Sequence, residues 1–230
     1  MSAPAVIFDL DGTLVDTAPD LVATLNTVLA RIGLPPVPYA AARNMVGGGA
    51  RAMIERGLQA ERRTVTPGEV DGLVNDFIAH YAAHIADQSR PFPGLVAALD
   101  VLGREGYRLA VCTNKLEWLA VRLLEALRLK PRFVAICGGD TFGITKPDAE
   151  LLRRTITQAG GQIERAVLVG DSATDISTAR NAGVPVIAVD FGYSEVPIAQ
   201  YQPDRLISAF EELPAAVFAT VPPAEQPSRR

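Results

Sequence analysis

The fold of this chain is decided by one stretch, Val6-Ile7-Phe8-Asp9-Leu10-Asp11-Gly12-Thr13. Its apolar first part, together with Ala5, predicts a buried strand, and two aspartates follow directly. Side chains two apart in extended backbone point the same way, so Asp9 and Asp11 should project together from the strand's carboxyl end. Gly12 lets the chain turn there. Two like charges so close need a compensating cation or shared proton, which favours a functional site over two turn-capping aspartates.

The composition describes a chain that can bury a substantial core and carries a small negative charge. It has 230 residues, 48% of them hydrophobic, and a formal net charge of -4. The charge disfavours a nucleic-acid partner, since such proteins usually present a basic face. Residues 1–4 show no basic segment of a signal peptide, and no apolar run approaches the roughly 18 residues of a membrane span. We therefore expect a cytoplasmic protein without a membrane partner. Cys112 and Cys137 lie in strand-like runs and are expected to be reduced core thiols.

Residues 16–90 are predicted to form an inserted helical domain. Thr17 is a candidate N-cap, and the apolar residues of 21–32 fall on one helical face. The spacing of Thr66 and Glu69 is that of a capping box, which predicts the start of another helix. No strand pattern occurs inside this segment.

Strand and helix patterns alternate after residue 90. The predicted strands cover residues 108–112, 133–137, 166–169 and 184–189, and a weak strand and a terminal helix follow within 203–218. This alternation predicts a doubly wound parallel sheet, a Rossmann-like α/β core formed by residues 1–15 and 91–221. The helical segment then forms a cap on that core. Residues 222–230 are polar and proline-rich and are expected to be a flexible tail.

Three later stretches place polar residues where predicted strands end or helices begin. Thr113 and Asn114 follow a strand, where a hydroxyl and backbone N–H groups can hold a phosphate oxygen, although either residue could simply cap the next helix. Lys146 precedes a predicted helix. Asp171 ends another strand, and Asp175 lies in the first turn of the helix after it, where a carboxylate also suits the helix dipole.

The charges at this predicted edge do not balance without a cation. Asp9, Asp11, Asp171 and Asp175 bring about four negative charges together, and burial would raise some of their pKa values. A magnesium ion supplies two positive charges and Lys146 supplies one. Because carboxylates are clustered and histidines are few, the sequence favours Mg²⁺ over zinc.

This combination resembles the haloacid dehalogenase-like hydrolase superfamily. Its four motifs occur in order as Asp9-Leu10-Asp11-Gly12-Thr13, Thr113, Lys146, and Gly170-Asp171 with Asp175. The helical insertion resembles that family's mobile cap. The segments at residues 11–20, 46–50 and 191–193 resemble its phosphoglycolate phosphatase branch. One departure is Ala149, which stands where the family usually has a second proline after Lys146-Pro147; it removes no charge.

The resemblance implies a magnesium-dependent phosphatase that acts on a small phosphate monoester, 2-phosphoglycolate above others. Asp9 would form an aspartyl-phosphate. Asp11 would protonate the leaving alkoxide and then activate water. The metal would be held by the Asp9 and Asp171 side chains and the Asp11 backbone carbonyl.

The resemblance also implies which residues surround the phosphoryl group. Thr113, Asn114 and Lys146 would hold its oxygens, and Thr13 is expected among the substrate-binding residues. Asp175 would orient Lys146 or a metal-bound water.

The cap is expected to select the substrate. Gly48 and Gly49 lie in a glycine-rich loop at a helix start, which suits close approach of backbone to an anion. Arg51 could bind a carboxylate with its forked guanidinium, or could be an ordinary surface arginine. Cap closure predicts hinges near Asp16 and Arg90.

Other functions fit the same motifs. A phosphatase for sugar phosphates and a sugar phosphomutase are alternatives within the superfamily. A non-catalytic, metal-stabilised binding module is an alternative of another class. The expected partner is a small phosphorylated metabolite, and the chain is expected to be a monomer or a homodimer.

Overall fold

A computed structural model describes residues 3–223, and a six-stranded parallel sheet lies at its centre. The strands are β1 (Ala5–Phe8), β2 (Val15–Asp16), β3 (Arg90–Pro91), β4 (Arg108–Cys112), β5 (Ala135–Cys137), β6 (Ala166–Gly170), β7 (Val186–Val189) and β8 (Arg205–Ile207). The large sheet has the order β5-β4-β1-β6-β7-β8, and β2 and β3 pair separately as an antiparallel ladder.

Helices cover the sheet and form the insertion. They are α1 (Ala18–Ala30), α2 (Tyr39–Arg43), α3 (Gly49–Ala60), α4 (Pro67–Ala83), α5 (Leu95–Arg104), α6 (Glu117–Ala126), α7 (Ala149–Gln158), α8 (Ala173–Ala182) and α9 (Leu213–Thr220). The first four lie between β2 and β3, and the others alternate with the strands of the sheet. The predicted doubly wound α/β fold with an inserted helical segment is therefore confirmed. Its division into a core and a cap at residues 16 and 90 stays a prediction.

The two faces of the sheet are buried under different helices because strand side chains alternate. Val6 and Phe8 of β1 join one apolar cluster, which includes residues of α5, α6, α9 and the four cap helices. Ala5 and Ile7 join a second cluster with residues of α7 and α8. The cap thus shares one continuous core with one face of the sheet.

The register of the central strands sets where the polar residues lie. Phe8 pairs with Val111 of β4 on one side and with Val169 of β6 on the other. All three strands run parallel, so the residues that follow them emerge at one edge. From β1 the later strands add first on one side and then on the other, and such a switch point is where α/β sheets bind ligands.

Several local predictions are confirmed and one is corrected. Thr66 and Glu69 form the capping box that opens α4. Cys112 and Cys137 are free and buried. Thr17 occupies the N-cap position of α1 but does not cap it, because its hydroxyl donates to Asp11 Oδ1 over 2.7 Å. The hydroxyl is therefore directed to the candidate site.

Some boundaries differ from the sequence-based ones. The strand expected at 133–137 begins at Ala135, since Phe133 N donates to Lys130 O and closes a turn. The strand expected at 184–189 begins at Val186, after Val184 N donates to Ala179 O at the end of α8. Of the expected tail, only Pro222 and Pro223 are among the described residues. None of the helices in the described range 3–223 is both long and apolar enough to cross a bilayer.

The base of the cap is held by a short ladder and one buried carboxylate. Val15 pairs with Pro91 and Asp16 with Arg90, at the two predicted hinges. Two-residue strands are too short for a periodic pattern, so they could not be predicted from the sequence. Beside the ladder, the carboxylate of Asp20 accepts hydrogen bonds from Gln88 N, Ser89 N and the Ser89 hydroxyl. These contacts join the outgoing and returning segments of the chain.

Replacing Asp20 by alanine should destabilise the protein by about 2–4 kcal/mol, because buried N–H and O–H donors would lose their acceptor. Asp76→Ala is the matched control, since the Arg31–Asp76 ion pair of the same helical segment is half exposed and should contribute at most about 1 kcal/mol. Urea unfolding measures both. Equal losses in the two variants would contradict the role given to Asp20.

Candidate active site

Three buried carboxylates meet at the edge of the sheet. Asp9 follows β1, Asp171 follows β6, and Asp175 lies in the first turn of α8. One oxygen from each lies within 4.8 Å of the other two. The strand register explains the meeting of Asp9 and Asp171, and the turn from β6 into α8 brings in Asp175.

Lys146 supplies positive charge to this cluster. Its Nζ lies 2.9 Å from Asp9 Oδ1 and 2.6 Å from Asp175 Oδ1, and its side chain is 1% exposed. Asn114 fixes the backbone of this lysine, because its Oδ1 accepts from Lys146 N over 2.7 Å and its Nδ2 donates to Lys146 O over 3.2 Å. The expectation that Lys146 and the aspartates share one site agrees with this geometry.

Neither Thr113 nor Asn114 caps the next helix, so the alternative considered for them from sequence is wrong. That helix, α6, follows Leu116 and has no side-chain cap. The Thr113 hydroxyl accepts from Lys115 N over 3.2 Å and is buried. Both residues thus shape the strand end, and their contact with a phosphoryl group remains a prediction.

Asp175 uses its two carboxylate oxygens for two tasks. Its Oδ2 accepts from the Ser172 backbone N–H and hydroxyl in a capping box at the start of α8. Its Oδ1 accepts from Lys146 Nζ. The helix-start interpretation of this residue is confirmed, and the second contact agrees with the predicted orientation of Lys146 by Asp175.

Asp171 is fixed from two sides. Its Oδ1 accepts from the Thr13 hydroxyl over 2.9 Å and its Oδ2 from Tyr193 N over 2.8 Å. Thr13 is fully buried behind the carboxylate. Its hydroxyl therefore supports Asp171, which differs from the substrate contact expected for it.

Two glycines leave the space that this carboxylate occupies. A Cβ on Gly192 would lie 2.2 Å from Asp171 Cβ, and a Cβ on Gly12 would lie 2.4 Å from Asp171 Oδ2. Gly12 also has a φ of +83°, which glycine adopts without strain. The position of Asp171 thus requires glycine at positions 12 and 192, as well as the hydrogen bonds from Thr13 and Tyr193.

Asp11 lies apart from the three-carboxylate cluster. Its Oδ1 accepts from the Thr17 hydroxyl and lies 3.0 Å from Lys115 Nζ. The prediction that its side chain projects with that of Asp9 must therefore be corrected in one respect: the Asp11 carboxylate is not in the cluster. Its expected contribution to a metal site was its backbone carbonyl, and that stays a prediction. Lys115 was missed from sequence, although it directly follows Thr113 and Asn114.

A cavity of about 240 Å³ lies between the cap and the sheet edge. Its lining includes Gly48, Gly49 and Arg51 from the cap and Asn114 and Lys115 from the core. Apolar side chains form most of the remaining wall: Leu21, Val46, Met53, Val74, Phe77, Ile78, Leu116 and Leu119. The glycine loop approaches the core closely, since a Cβ on Gly49 would lie 3.4 Å from Asn114 O.

Arg51 lies at this cavity but is already paired. Its guanidinium contacts Asp71, and its Nη1 lies 3.9 Å from Glu55 Oε1. The side chain is 52% exposed. These contacts are those of a surface arginine, the second of the two interpretations given from sequence, and carboxylate binding by Arg51 stays a prediction.

Tyr193 connects the site to the start of the cap. Its backbone N–H donates to Asp171, and its hydroxyl accepts from Thr17 N and Ala18 N and donates to Asp16 Oδ1 over 2.6 Å. The sequence singled out residues 191–193 as a resemblance but gave no role to the tyrosine. Its role could not be found from local pattern, because its partners are distant in the chain.

Comparison with known proteins agrees with this geometry. The family described as Haloacid dehalogenase-like hydrolase matches residues 6–189. A phosphoglycolate phosphatase from Agrobacterium fabrum is 50% identical over 94% of this chain and 93% of its own. One from Caulobacter vibrioides is 44% identical over 99% of this chain and 96% of its own. The chain belongs to the haloacid dehalogenase-like hydrolase family.

A solved structure supports the same placement. A "predicted phosphoglycolate phosphatase" from Haemophilus somnus is 28% identical, with a TM-score of 0.86 over 93% of this hydrolase and 97% of its own chain. The superfamily and the fold expected from sequence are confirmed, and so is the enzyme class, a phosphoric monoester hydrolase.

Burial makes the charge of the cluster costly without a cation. It raises the pKa of Asp9 to about 7, against the opposing effect of Lys146 and with a further increase from Asp175. Burial, Asp175 and Asp9 together raise the pKa of Asp171 to about 8. Burial disfavours the Lys146 ammonium, but Asp175 and Asp9 outweigh it and raise the pKa of that lysine.

The residues of the cluster fit a magnesium ion. Among the buried side-chain oxygens and nitrogens of residues 3–223, Asp9 Oδ1 alone makes no well-directed hydrogen bond, although Lys146 Nζ is within ion-pair distance. An all-carboxylate donor set of Asp9, Asp171 and Asp175 suits a hard divalent cation. The cluster thus offers an unused acceptor and excess negative charge.

Magnesium should stabilise the hydrolase more at high pH than at low pH. Asp9 and Asp171 have folded-state pKa values of about 7 and about 8 against an ordinary 3.8. Because both carboxyls bind protons more tightly in the folded than in the unfolded state, their contribution to stability is fully present below about pH 4. It is lost as the pH rises to about 8. We expect a larger magnesium-induced rise in Tm at about pH 8.5 than at about pH 5.5, where protons compete.

Thermal unfolding with EDTA or MgCl₂ at the two pH values measures this difference. Asp171→Asn is the control, and it should reduce the magnesium effect at the higher pH. An equal rise in Tm at both pH values in the unaltered protein would contradict a cation bound by these carboxylates.

Gly192→Ala should weaken magnesium binding by roughly 10-fold or more, because the new Cβ overlaps Asp171 and displaces a carboxylate that would bind the metal. Gly103→Ala is the matched control, since a Cβ there meets nothing within 4 Å. The magnesium dependence of the Tm reports both. Unchanged binding in Gly192→Ala would show that the close packing of Asp171 is not required.

Proposed function

We propose that this hydrolase is a magnesium-dependent phosphatase that converts 2-phosphoglycolate to glycolate and phosphate. The observation that carries the proposal is the buried Asp9 carboxylate, 2.9 Å from Lys146 Nζ and grouped with two further carboxylates at the sheet edge. The choice of 2-phosphoglycolate as substrate is supported by the relatives named phosphoglycolate phosphatase, which are 50% and 44% identical over nearly the whole chain.

Phosphoryl binding follows from the arrangement of donors around Asp9. The Lys146 ammonium offers positive charge, and Asn114 holds the backbone of that lysine in place. The strand end at Thr113 and Asn114 lies beside it and would present its hydroxyl and backbone N–H groups to phosphoryl oxygens. Fixed donors of this kind stabilise the charge of the transferring group without reorganising during the reaction.

The first chemical step is attack by Asp9. One carboxylate oxygen of Asp9 forms a bond to phosphorus, the ester P–O bond breaks, and the leaving oxygen takes a proton from Asp11 as the aspartyl-phosphate forms. The Thr17 hydroxyl and Lys115 Nζ both contact Asp11 Oδ1 and fix the carboxyl group. Asp11 is thus held close to Asp9 without joining the carboxylate cluster.

The second step restores the enzyme. A water molecule gives a proton to Asp11, its oxygen attacks phosphorus, and the bond between phosphorus and Asp9 breaks to release phosphate. Asp11 thus donates a proton in one step and accepts one in the next, so the cycle ends with every group in its starting form. The covering cap helices limit access of other water to the site.

A magnesium ion, when bound, screens the repulsion between the carboxylate and the phosphate dianion. Asp9 and Asp171 would hold it, with the Asp11 carbonyl as expected from the resemblance and Asp175 close by. Thr13 and Tyr193 keep Asp171 in place for that purpose.

The cavity of about 240 Å³ suits a small ester. Sugar phosphates are the alternative substrates, and a phosphomutase would return the phosphoryl group to a sugar in place of water. A panel of phosphate esters that includes 2-phosphoglycolate and hexose phosphates, with free phosphate as the readout, distinguishes these functions.

Asp9→Asn should abolish phosphate release, with a loss of roughly 10³-fold or more, because the amide does not attack phosphorus.

Asp11→Asn should also lose most turnover on 2-phosphoglycolate, whose alkoxide is a poor leaving group. On an aryl phosphate, the leaving group needs no proton, so the same variant should form aspartyl-phosphate that then accumulates.

Rapid quench and acid-stable ³²P labelling measure this accumulation. The matched control is Asp148→Asn, whose carboxylate caps α7 outside the site. Wild-type turnover of 2-phosphoglycolate by Asp11→Asn would remove the acid–base role. No phosphate release from any ester by the unaltered protein would favour a binding module.

A further inference from the structure

Lys115 is a buried cation to which the proposed phosphoryl chemistry gives no role beyond its contact with Asp11. The residue is 8% exposed. Its Nζ lies 3.0 Å from Asp11 Oδ1 and 3.3 Å from the Tyr81 hydroxyl, and 4.5 Å from the centre of the Tyr81 ring. Lys146 is the ammonium beside Asp9 and Asp175, whereas the acidic partner of Lys115 is Asp11, outside that cluster.

The position of Lys115 points to a ligand in the cavity. A lysine ammonium has three N–H donors, and two of them have partners, Asp11 and Tyr81. Lys115 also lines the cavity between the cap and the sheet edge, where most neighbouring side chains are apolar. In such surroundings an ion pair is stronger than at an exposed surface, because water screens it less.

The spacing matches one chemical class of substrate. Asp11 is the proposed proton donor to the ester oxygen, and Lys115 Nζ is 3.0 Å from the Asp11 carboxylate. In 2-phosphoglycolate a single methylene separates the ester oxygen from the carboxylate. A substrate whose ester oxygen contacts Asp11 therefore places its carboxylate within reach of Lys115. A sugar phosphate would place an uncharged hydroxyl-bearing carbon there.

Arg51, the other basic side chain named at this cavity, is less suited to the task. Its guanidinium is half exposed and already contacts Asp71, with Glu55 close by. Solvent screens a charge in that position, and the neighbouring acids compensate it. Lys115 has one acidic partner, Asp11, and is almost fully buried. Solvent therefore screens its charge less, and the charge can act on a ligand in the cavity.

We propose that Lys115 binds the carboxylate of the substrate and so sets the preference for carboxylate-bearing phosphate esters. This inference rests on the proposed phosphatase function and deepens it. In the unliganded site the Asp11 carboxylate takes the place of the substrate's carboxylate as the partner of Lys115. When the substrate binds, its carboxylate becomes the partner of the Lys115 ammonium. Asp11 then takes up a proton from solvent, which it donates to the leaving oxygen.

Kinetics on two matched esters test the proposal. 2-Phosphoglycolate and 2-hydroxyethyl phosphate have the same phosphate and a primary alkoxide leaving group, and only the first carries a carboxylate. The measured quantity is the ratio of their kcat/KM values in the unaltered protein, Lys115→Met and Arg51→Gln. Asp11 loses its cation in Lys115→Met, so both esters lose turnover, and the ratio isolates the carboxylate contact.

We expect Lys115→Met to lower the ratio by roughly 10²-fold, mainly through KM for 2-phosphoglycolate, as loss of a buried charged contact does. Lys115→Arg should keep part of the preference, because it keeps the charge. Arg51→Gln should leave the ratio within about threefold of the starting value. An unchanged ratio in Lys115→Met, or a collapse in Arg51→Gln instead, would overturn the proposal.

A binding measurement separates this proposal from catalysis. Calorimetry compares 3-phosphonopropionate, a non-hydrolysable analogue with a carboxylate, with propylphosphonate, which lacks one. Lys115→Met should lose the difference in affinity between them and retain the affinity for propylphosphonate; retention of the difference overturns the proposal. Lys115→Gln serves in the same assays if the methionine variant does not fold.

The unaltered protein reports separately on the proposed function. If it does not hydrolyse 2-phosphoglycolate, the function fails, and the inference about Lys115 fails with it. If it prefers 2-phosphoglycolate and Lys115→Met keeps that preference, only the inference about Lys115 fails.

Discussion

The repulsion among buried carboxylates is the constraint on which the rest of the structure depends. Asp9, Asp171 and Asp175 lie within a few ångströms of each other in the protein interior, and Lys146 offsets only part of their charge. The fold holds them together through groups that are themselves fixed, such as the clamp of Asn114 on the lysine backbone. Unbalanced buried charge of this kind favours a divalent cation beside the carboxylates.

A second set of contacts joins the site to the base of the cap. Tyr193 holds Asp171 with its backbone N–H and the start of α1 with its hydroxyl. From the cap, Arg43 donates to Phe191 O and Gly192 O and stacks over the Tyr193 ring. The cap and the loop that supports Asp171 are therefore joined by direct contacts.

The sequence by itself determined the fold and the main charged groups. Apolar runs separated by helical patterns give strands and helices, and parallel strands bring their carboxyl ends to one edge. Asp9 and Asp171 could be placed together for that reason, and Lys146 followed from the need for positive charge. The capping box at Thr66 is a local pattern, and the chain forms it as expected.

Only the tertiary structure decided how these groups are held and which side chains line the cavity. Thr13 and Asp171 are 158 residues apart, and Tyr193 and Asp16 are 177 apart. No periodic pattern spans such distances, and a hydroxyl or a tyrosine in a loop has no local sign of its partner. Lys115 contacts Asp11 on one side and the cap residue Tyr81 on the other, and these contacts fix its position. Its role depends on the contact between core and cap, which exists only once both have folded.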